Sequence, residues 1–209
     1  MDKDSKGKLL AASVPLFASQ GFAAVSIRQV AEAAGVNSAL ISYYFGGKSG
    51  LYEAVLKEQF SYIVDRIRML SEQPLTPVDK IRGYARAVED VHQAEPYLIR
   101  LWFREMAEPG SPFRHIIIEH IGIAAAFLRG AITEGMSKGM FRADIIPEYA
   151  VVGLAGMLNF FFAAKPAVPP ELVPEVLLRN VRYVDTMAEM FIHALEQPKE
   201  RDGQCNKSG

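Results

Sequence analysis

Residues 25–48 read VSIRQVAEAAGVNSALISYYFGGK, and the way this stretch folds decides how the rest of the chain is read. Ser26 and Gln29 match the S/T-x-x-E/Q capping box, in which the hydroxyl accepts a free backbone N–H and the glutamine reaches back to the cap. Ile27, Val30, Ala31 and Ala34 follow at i, i+3, i+4 and i+7, one face of a helix. Gly35 then ends that helix, because a left-handed residue without Cβ terminates it without strain. Asn37 or Ser38 can cap a second helix. Leu40, Ile41 and Tyr44 give this second helix a buried side. Its other side, with Ser38, Ala39, Ser42 and Tyr43, is small, hydrogen-bonding or aromatic. Two helices crossing over a glycine turn, the second with a small polar outer face, suit entry into a DNA major groove. The same pattern suits an ordinary helical hairpin inside an all-α core. On these residues alone both readings stand.

The chain has 209 residues, room for one large domain or two small ones with a proper core. Half of the residues are hydrophobic and 22% are charged, an ordinary balance for a soluble globular protein. The apolar runs IGIAAAFL and VVGLAGMLNFFFAA are too short or too glycine-rich for a membrane span, so no membrane partner is expected. The first residues, MDKDSKGK, contain no apolar h-region, so no secretory signal is expected. The single Cys205 has no partner for an intrachain disulfide, and a cytoplasmic location is expected. Net charge is −1. The first 56 residues carry five basic side chains (Lys3, Lys6, Lys8, Arg28, Lys48) against four acidic ones (Asp2, Asp4, Glu32, Glu53). That balance argues against sequence-independent coating of DNA, which needs many phosphate contacts, but a small docking face can still be locally positive.

Every other segment also reads helical, which makes the chain all-α with about nine helices. A first helix over about 5–20 carries the stripe Leu9, Leu10, Leu16 and Phe17, with a bend expected at Pro15. Lys3, Lys6 and Lys8 at its start could reach phosphate or form a solvated arm. Further helices are predicted over about 48–71, 77–94, 96–107, 112–138, 147–164 and 174–196. The sixth of the series, 96–107, is apolar nearly all round and expected to be mostly buried. Residues 198–209 read as a disordered tail. In the last helix Leu177, Val181, Val184, Ala188, Phe191 and Leu195 step by 4, 3, 4, 3, 4, an a/d seam. Tyr183, Met187, Met190 and Ala194 form a second stripe beside it. In the helix before, Gly153 and Gly156 permit close approach and Phe160 supplies area. A homodimer interface is therefore expected from Gly153, Phe160, Leu177, Val181, Val184, Ala188 and Phe191.

Three stretches, LLAASVPLFASQGF, SIRQVAEAAGV and NSALISYYFGGKSGLYEAVL, together resemble the TetR/AcrR family of transcriptional regulators over about the first 60 residues. The YYFGGKSGLY and REMAEP pieces are similar to the subgroup with a CerR-type C-terminal domain. Pro15 and Gly50 depart from the family pattern and put local helix stability in doubt. The resemblance implies an N-terminal three-helix helix-turn-helix DNA-binding domain over 1–56. A helical ligand-binding and dimerisation domain would follow over 57–197. It further implies that Ser26 and Arg28 touch phosphate or a neighbouring base edge. Asn37, Ser38 and Ala39 would start the recognition helix, with Ser42 on the same outer face. Tyr43 and Tyr44 would donate to phosphates, and Lys48 would pair with one beside a helix N-terminus. Trp102, Phe103, Met106, Phe127, Met157 and Phe161 are candidate lining for a small-molecule effector pocket. Arg100 and Arg104, on one face, could serve an anionic ligand or be solvated. The implied function is a homodimeric repressor, without cofactor or metal, released from a pseudo-palindromic operator in double-stranded DNA by that effector.

Two rival classes remain at this level. His115, Glu119 and His120 spell H-x-x-x-E-H, which misses both zinc-hydrolase spacings by one residue. Gly46, Gly47 and Lys48 lack P-loop spacing, and Cys205 has no placed base. These features argue against an enzyme. A helical protein–protein adaptor is the other rival, and binding to a defined palindrome separates the regulator from both.

Overall fold

Helix follows helix in the structure, a computed structural model describing residues 3–108, 111–169, 171 and 183–196. In order these are α1 (Lys3–Gln20), α2 (Ile27–Ala34), α3 (Ala39–Phe45), α4 (Lys48–Ser71), α5 (Pro77–Ala94), α6 (Leu98–Ala107), α7 (Arg114–Ser137), α8 (Pro147–Ala164) and α9 (Tyr183–Leu195). A 3-10 turn at Lys165–Ala167 closes α8, and an isolated bridge joins Phe141 to Glu196. The fold is all-α. Positions 174–182 of the last predicted helix, with Leu177 and Val181, lie outside the described residues, as does 198–209.

Two apolar cores divide the chain. The first gathers Leu9, Phe17, Val30, Ile41, Leu51, Tyr52, Val55 and Leu56, then draws in Leu98 and Leu101 from α6 and Ile116 and Ile117 from α7. The second holds Ile67, Ile81, Tyr84, Leu128, Ile132, Phe141, Leu154, Leu158 and α9's Val184, Ala188 and Ile192. Each fully buried aliphatic or aromatic side chain contributes about 1.5–3 kcal/mol against leaving it in water. Helix α4 runs through both, with Leu51 to Phe60 in the first and Ile67 in the second. The helix that follows the α2–α3 pair is thus also a strut of the C-terminal body.

Local chemistry explains where several helices begin and end. Thr76 accepts the Asp79 N–H at 3.1 Å and Pro77 occupies the first turn of α5. Helix α1 runs unbroken across Pro15. The carbonyl deprived of its partner there belongs to exposed Ala11, where water can satisfy it. Gly50, which breaks the family pattern, is required by packing. A Cβ at that position would collide with the carbonyl oxygen of Phe45, the last residue of α3.

Two expectations need correction. Helix α6 is not buried all round: Leu98, Ile99, Leu101 and Glu105 face inward, while Phe103 and Met106 are exposed. The a/d seam of α9 is used inside the chain. Val184 and Ala188 are fully buried in the second core, and Phe191 packs against it. Two stripes of similar apolarity compete for the interior in that helix, and the seam won; exposed Met190 and Ala194 belong to the other stripe. Helices α7 and α8 are long and apolar enough to cross a membrane by length and composition alone. Both pack into the helical body, α7 against α4, α5 and α8.

Candidate nucleic-acid interface

The α2–turn–α3 segment is held by short-range caps. Ser26 Oγ accepts the Gln29 N–H at 3.2 Å, as the capping box requires. The reciprocal arm is diverted, because Gln29 Nε2 donates to Gln20 Oε1 of α1 at 3.1 Å. Gly35 ends α2 in the left-handed region. Asn37 rather than Ser38 caps α3: its Oδ1 accepts the Ala39 N–H at 2.8 Å, whereas Ser38 is already helical and makes no side-chain cap. Asn37 Oδ1 is thereby committed to the backbone, which leaves its amide nitrogen as the group able to reach a base.

Ile41 is fully buried, and Leu40 and Tyr44 pack against the first core. That rotation turns Ala39, Ser42 and Tyr43 outward, Tyr43 being 66% exposed. The outward face carries no charge. Hydroxyls and a methyl at that face can donate to, accept from or pack against base edges without a desolvated charge. The Tyr43 and Tyr44 rings meet edge to face at 5.0 Å, so Tyr44 buttresses its neighbour.

Cationic groups flank this face. Arg28 is exposed and loosely paired with Glu32 at 3.6 Å. Lys6 of α1 sits 5.8 Å over the Phe45 ring at the far end of α3. Lys48 is placed differently from the expectation of a free phosphate partner. Its ammonium donates to the Ala23 carbonyl at 3.2 Å and lies 4.6 Å over the Phe22 ring, which ties the start of α4 to the α1–α2 loop.

Two contacts that periodicity could not reveal join this unit to α6. Arg104 Nη2 donates to the Ser19 and Ala18 carbonyls at 3.0 and 3.4 Å, which covers the C-terminal end of α1. Glu105, buried beside it in sequence, accepts the Tyr52 hydroxyl of α4 at 2.5 Å and the Ser111 hydroxyl. Burial, then the hydrogen bond to Glu105, pushes the Tyr52 phenol far above its ordinary value and keeps it a donor. Around it the rings of Phe17, Phe22 and Phe113 pack at 4.7–5.2 Å. The available signal was an Arg-Glu pair inside an apolar run.

The six candidate effector residues do not share one cavity. Phe103 alone of them lines a cleft of about 1220 Å³ between the end of α1, α6 and the end of α8. Trp102 packs on the first core. Phe161 stacks on Tyr183 at 3.9 Å, and the Tyr183 hydroxyl donates to the Met157 carbonyl at 2.7 Å. Phe127 packs on the second core. Of the expected interface residues, Phe160 is 68% exposed and Gly153 is open to solvent. Val184 and Ala188 are unavailable to a partner in this conformation. His115 and His120 each turn Nδ1 to a carbonyl of their own segment, at 2.8 and 2.6 Å. Among the described residues no group of three or more His, Cys, Asp or Glu could hold a metal ion.

A capped helix pair with an outward, uncharged second helix, carried on a helical body, defines a helix-turn-helix regulator. Residues 9–55 match the family described as bacterial regulatory proteins, tetR family. The probable HTH-type transcriptional regulator YttP of Bacillus subtilis is 45% identical over 186 residues, 85% of this chain and 84% of that one. The HTH-type transcriptional regulator RutR of Escherichia coli is 29% identical over 186 residues, 88% of this chain and 85% of that one. The ketosteroid transcriptional regulator KstR2 of Mycobacterium tuberculosis shares the fold, with TM-score 0.74 at 15% identity over 95% of this chain and 98% of that one. So does FadR of Bacillus subtilis, solved with stearoyl-CoA, with TM-score 0.73 at 17% identity over 91% and 99%. The chain belongs to the TetR family. It is a DNA-binding transcriptional regulator, not an enzyme.

Proposed function

We propose that this regulator is a cytoplasmic homodimeric repressor that reads a pseudo-palindromic operator and leaves it when a small molecule binds. The observation that carries the reading is the outward face of α3, where Ala39, Ser42 and Tyr43 stand clear while Ile41 anchors the helix. Residues 1–56 form the reading unit, with Ser26, Arg28, Asn37, Ser38, Ala39, Ser42, Tyr43, Tyr44 and Lys48 as its contacts. Lys48 joins them by exchanging the Ala23 carbonyl for a phosphate, a stronger charged acceptor. Two such units on a two-fold dimer place their recognition helices about 34–36 Å apart, one turn of DNA.

The dimer is supported by an unpartnered stripe on α8, where Tyr149, Val152, Gly153, Gly156 and Phe160 follow helical spacing and are all exposed. The region 57–197 holds the effector; a protein of the same fold carries stearoyl-CoA, which supports a ligand site in this body. Footprinting on DNA selected from a random pool tests the proposal. A protected two-fold site is expected, and none at moderate salt overturns it.

A further inference from the structure

Helix α1 has no basic residue in its last turn, so its C-terminal carbonyls lack the cation that usually faces them. Arg104 supplies that cation from α6, and Gly21 leaves room for it. Gly21 has φ +83°, and a Cβ there would run into the guanidinium. The same guanidinium lines the cleft of about 1220 Å³. Volumes of this order accept drug-sized ligands. Phe103, Ala163 and Ala164 supply apolar wall, and Arg100, exposed on the same helix, supplies a second cation. Glu108 sets one negative charge against these two, which leaves the wall with a net charge of +1.

From this juxtaposition we propose that the cleft between α1, α6 and α8 binds an apolar monocarboxylate. Its head group competes with the Ala18 and Ser19 carbonyls for Arg104. This rests on the reading that an effector releases the DNA, and names its class and route. A carboxylate accepts two parallel N–H bonds from a guanidinium and carries a full charge, so it outbids two neutral carbonyls. Binding therefore draws the guanidinium away from α1 and uncovers the end of the helix that packs against α2 and α3. The coupling is reciprocal: DNA that holds α1 in place weakens carboxylate binding by the same factor. Net charge selects a single negative group. The apolar wall selects a hydrocarbon or aromatic body.

The test uses the full chain and three probes of one length: decanoate, decan-1-ol and decylammonium. Trp102, the single tryptophan, packs its ring 4.6 Å from Phe103 at the cleft wall and reports occupancy by fluorescence. Decanoate is expected to bind at least about tenfold more tightly than decan-1-ol, the worth of a charge-assisted hydrogen bond, with decylammonium weakest. Arg100→Gln, which touches no core, is expected to weaken decanoate about tenfold, and Ala163→Phe, which fills the cleft without adding a second tryptophan, to abolish it. Decanoate is expected to release DNA from the wild-type protein, and DNA to lower decanoate affinity. Equal affinity for decanoate and decan-1-ol, or unchanged binding in both variants, overturns the site. Saturable binding without release overturns the competition at Arg104. A protein that binds no DNA by itself fails the regulator reading instead, and the fluorescence titration still decides the cleft.

Discussion

Tyr52 of α4 donates its hydroxyl to Glu105 of α6 at 2.5 Å, across 53 residues of sequence, with both side chains buried. Glu105 also accepts from Ser111, so one carboxylate fastens α4, the helix that follows α3, to α6 and to the turn before α7. Removing one partner of a buried bond leaves the other desolvated, a cost of about 1–3 kcal/mol. Tyr52→Phe is expected to lower unfolding free energy by that amount. The double change Tyr52→Phe with Glu105→Leu is expected to cost less than the sum of the two single changes. Urea denaturation of the four proteins in a double-mutant cycle measures the coupling; additive effects would show that the bond carries no energy.

Gly50 gives a prediction of sign. In an ordinary exposed helix, Gly→Ala gains about 0.5–1 kcal/mol. Here a methyl group would strike the Phe45 carbonyl where α3 ends. Gly50→Ala is expected to destabilise the protein and to lower operator affinity, because α3 must shift to admit the Cβ. Thermal unfolding beside fluorescence anisotropy checks both; a raised Tm would contradict the packing.

Tyr43 and Lys48 test the proposed phosphate contacts in two different ways. Tyr43 is exposed and outside both cores, touching Tyr44 at its ring edge, so Tyr43→Ala is expected to weaken all DNA sequences about equally, by roughly 1 kcal/mol, and to change Tm little. Lys48 is occupied at Ala23 in the DNA-free protein. If its ammonium moves to a phosphate, Lys48→Gln reduces the slope of log affinity against log salt by about one. An unchanged slope would leave Lys48 as a brace for the α1–α2 loop alone.

The α2–turn–α3 segment was legible because its determinants are local. Ser26 and Gln29, Gly35 and Asn37 act on atoms within a few residues, and the face of α3 follows from Ile41 and Tyr44. Contacts without a period were not legible. Arg104 meets Ser19 across 85 residues, and Gly50, which looks like a weak point in a helix, is fixed by Phe45 from outside that helix. Nor could α9 be oriented from its own residues. The seam through Val184 and Ala188 and the stripe through Met190 and Ala194 are both apolar, and only α5 and α8 packing beside them decides which is covered.

The outward stripe of α8 is where the proposed dimer is expected to meet. Val152 is 71% and Tyr149 75% exposed, so a charge there meets water in a monomer and a partner in a dimer. Val152→Arg is expected to convert the protein to a folded monomer, with loss of operator binding following from loss of the second reader. Sedimentation velocity beside circular dichroism reads both; a dimer that survives Val152→Arg moves the interface elsewhere.

Protonation of His92 is expected to couple stability to pH on the acid side. Its Nε2 meets Asn159 Oδ1 at 2.9 Å, its ring stacks on Phe162 at 4.4 Å, and its Nδ1 is buried without a partner. Burial lowers its pKa below the ordinary 6.5, partly opposed by the Asn159 bond. The unfolded chain therefore takes up a proton more readily than the native protein. This contribution is fully present above the unfolded value and is lost as pH falls below 6.5 toward the lower native pKa. Glu134 acts in a separate window. Hydrogen bonds from Lys138, then Lys80, hold it down to about 2, so what it contributes is lost only between its ordinary 4.5 and that value. His92→Phe keeps a ring against Phe162 and removes the titration. Between about pH 7.5 and about pH 5.5 the wild type is expected to lose more Tm than His92→Phe. Parallel losses would mean that His92 is protonated as easily in the folded protein as in the unfolded chain.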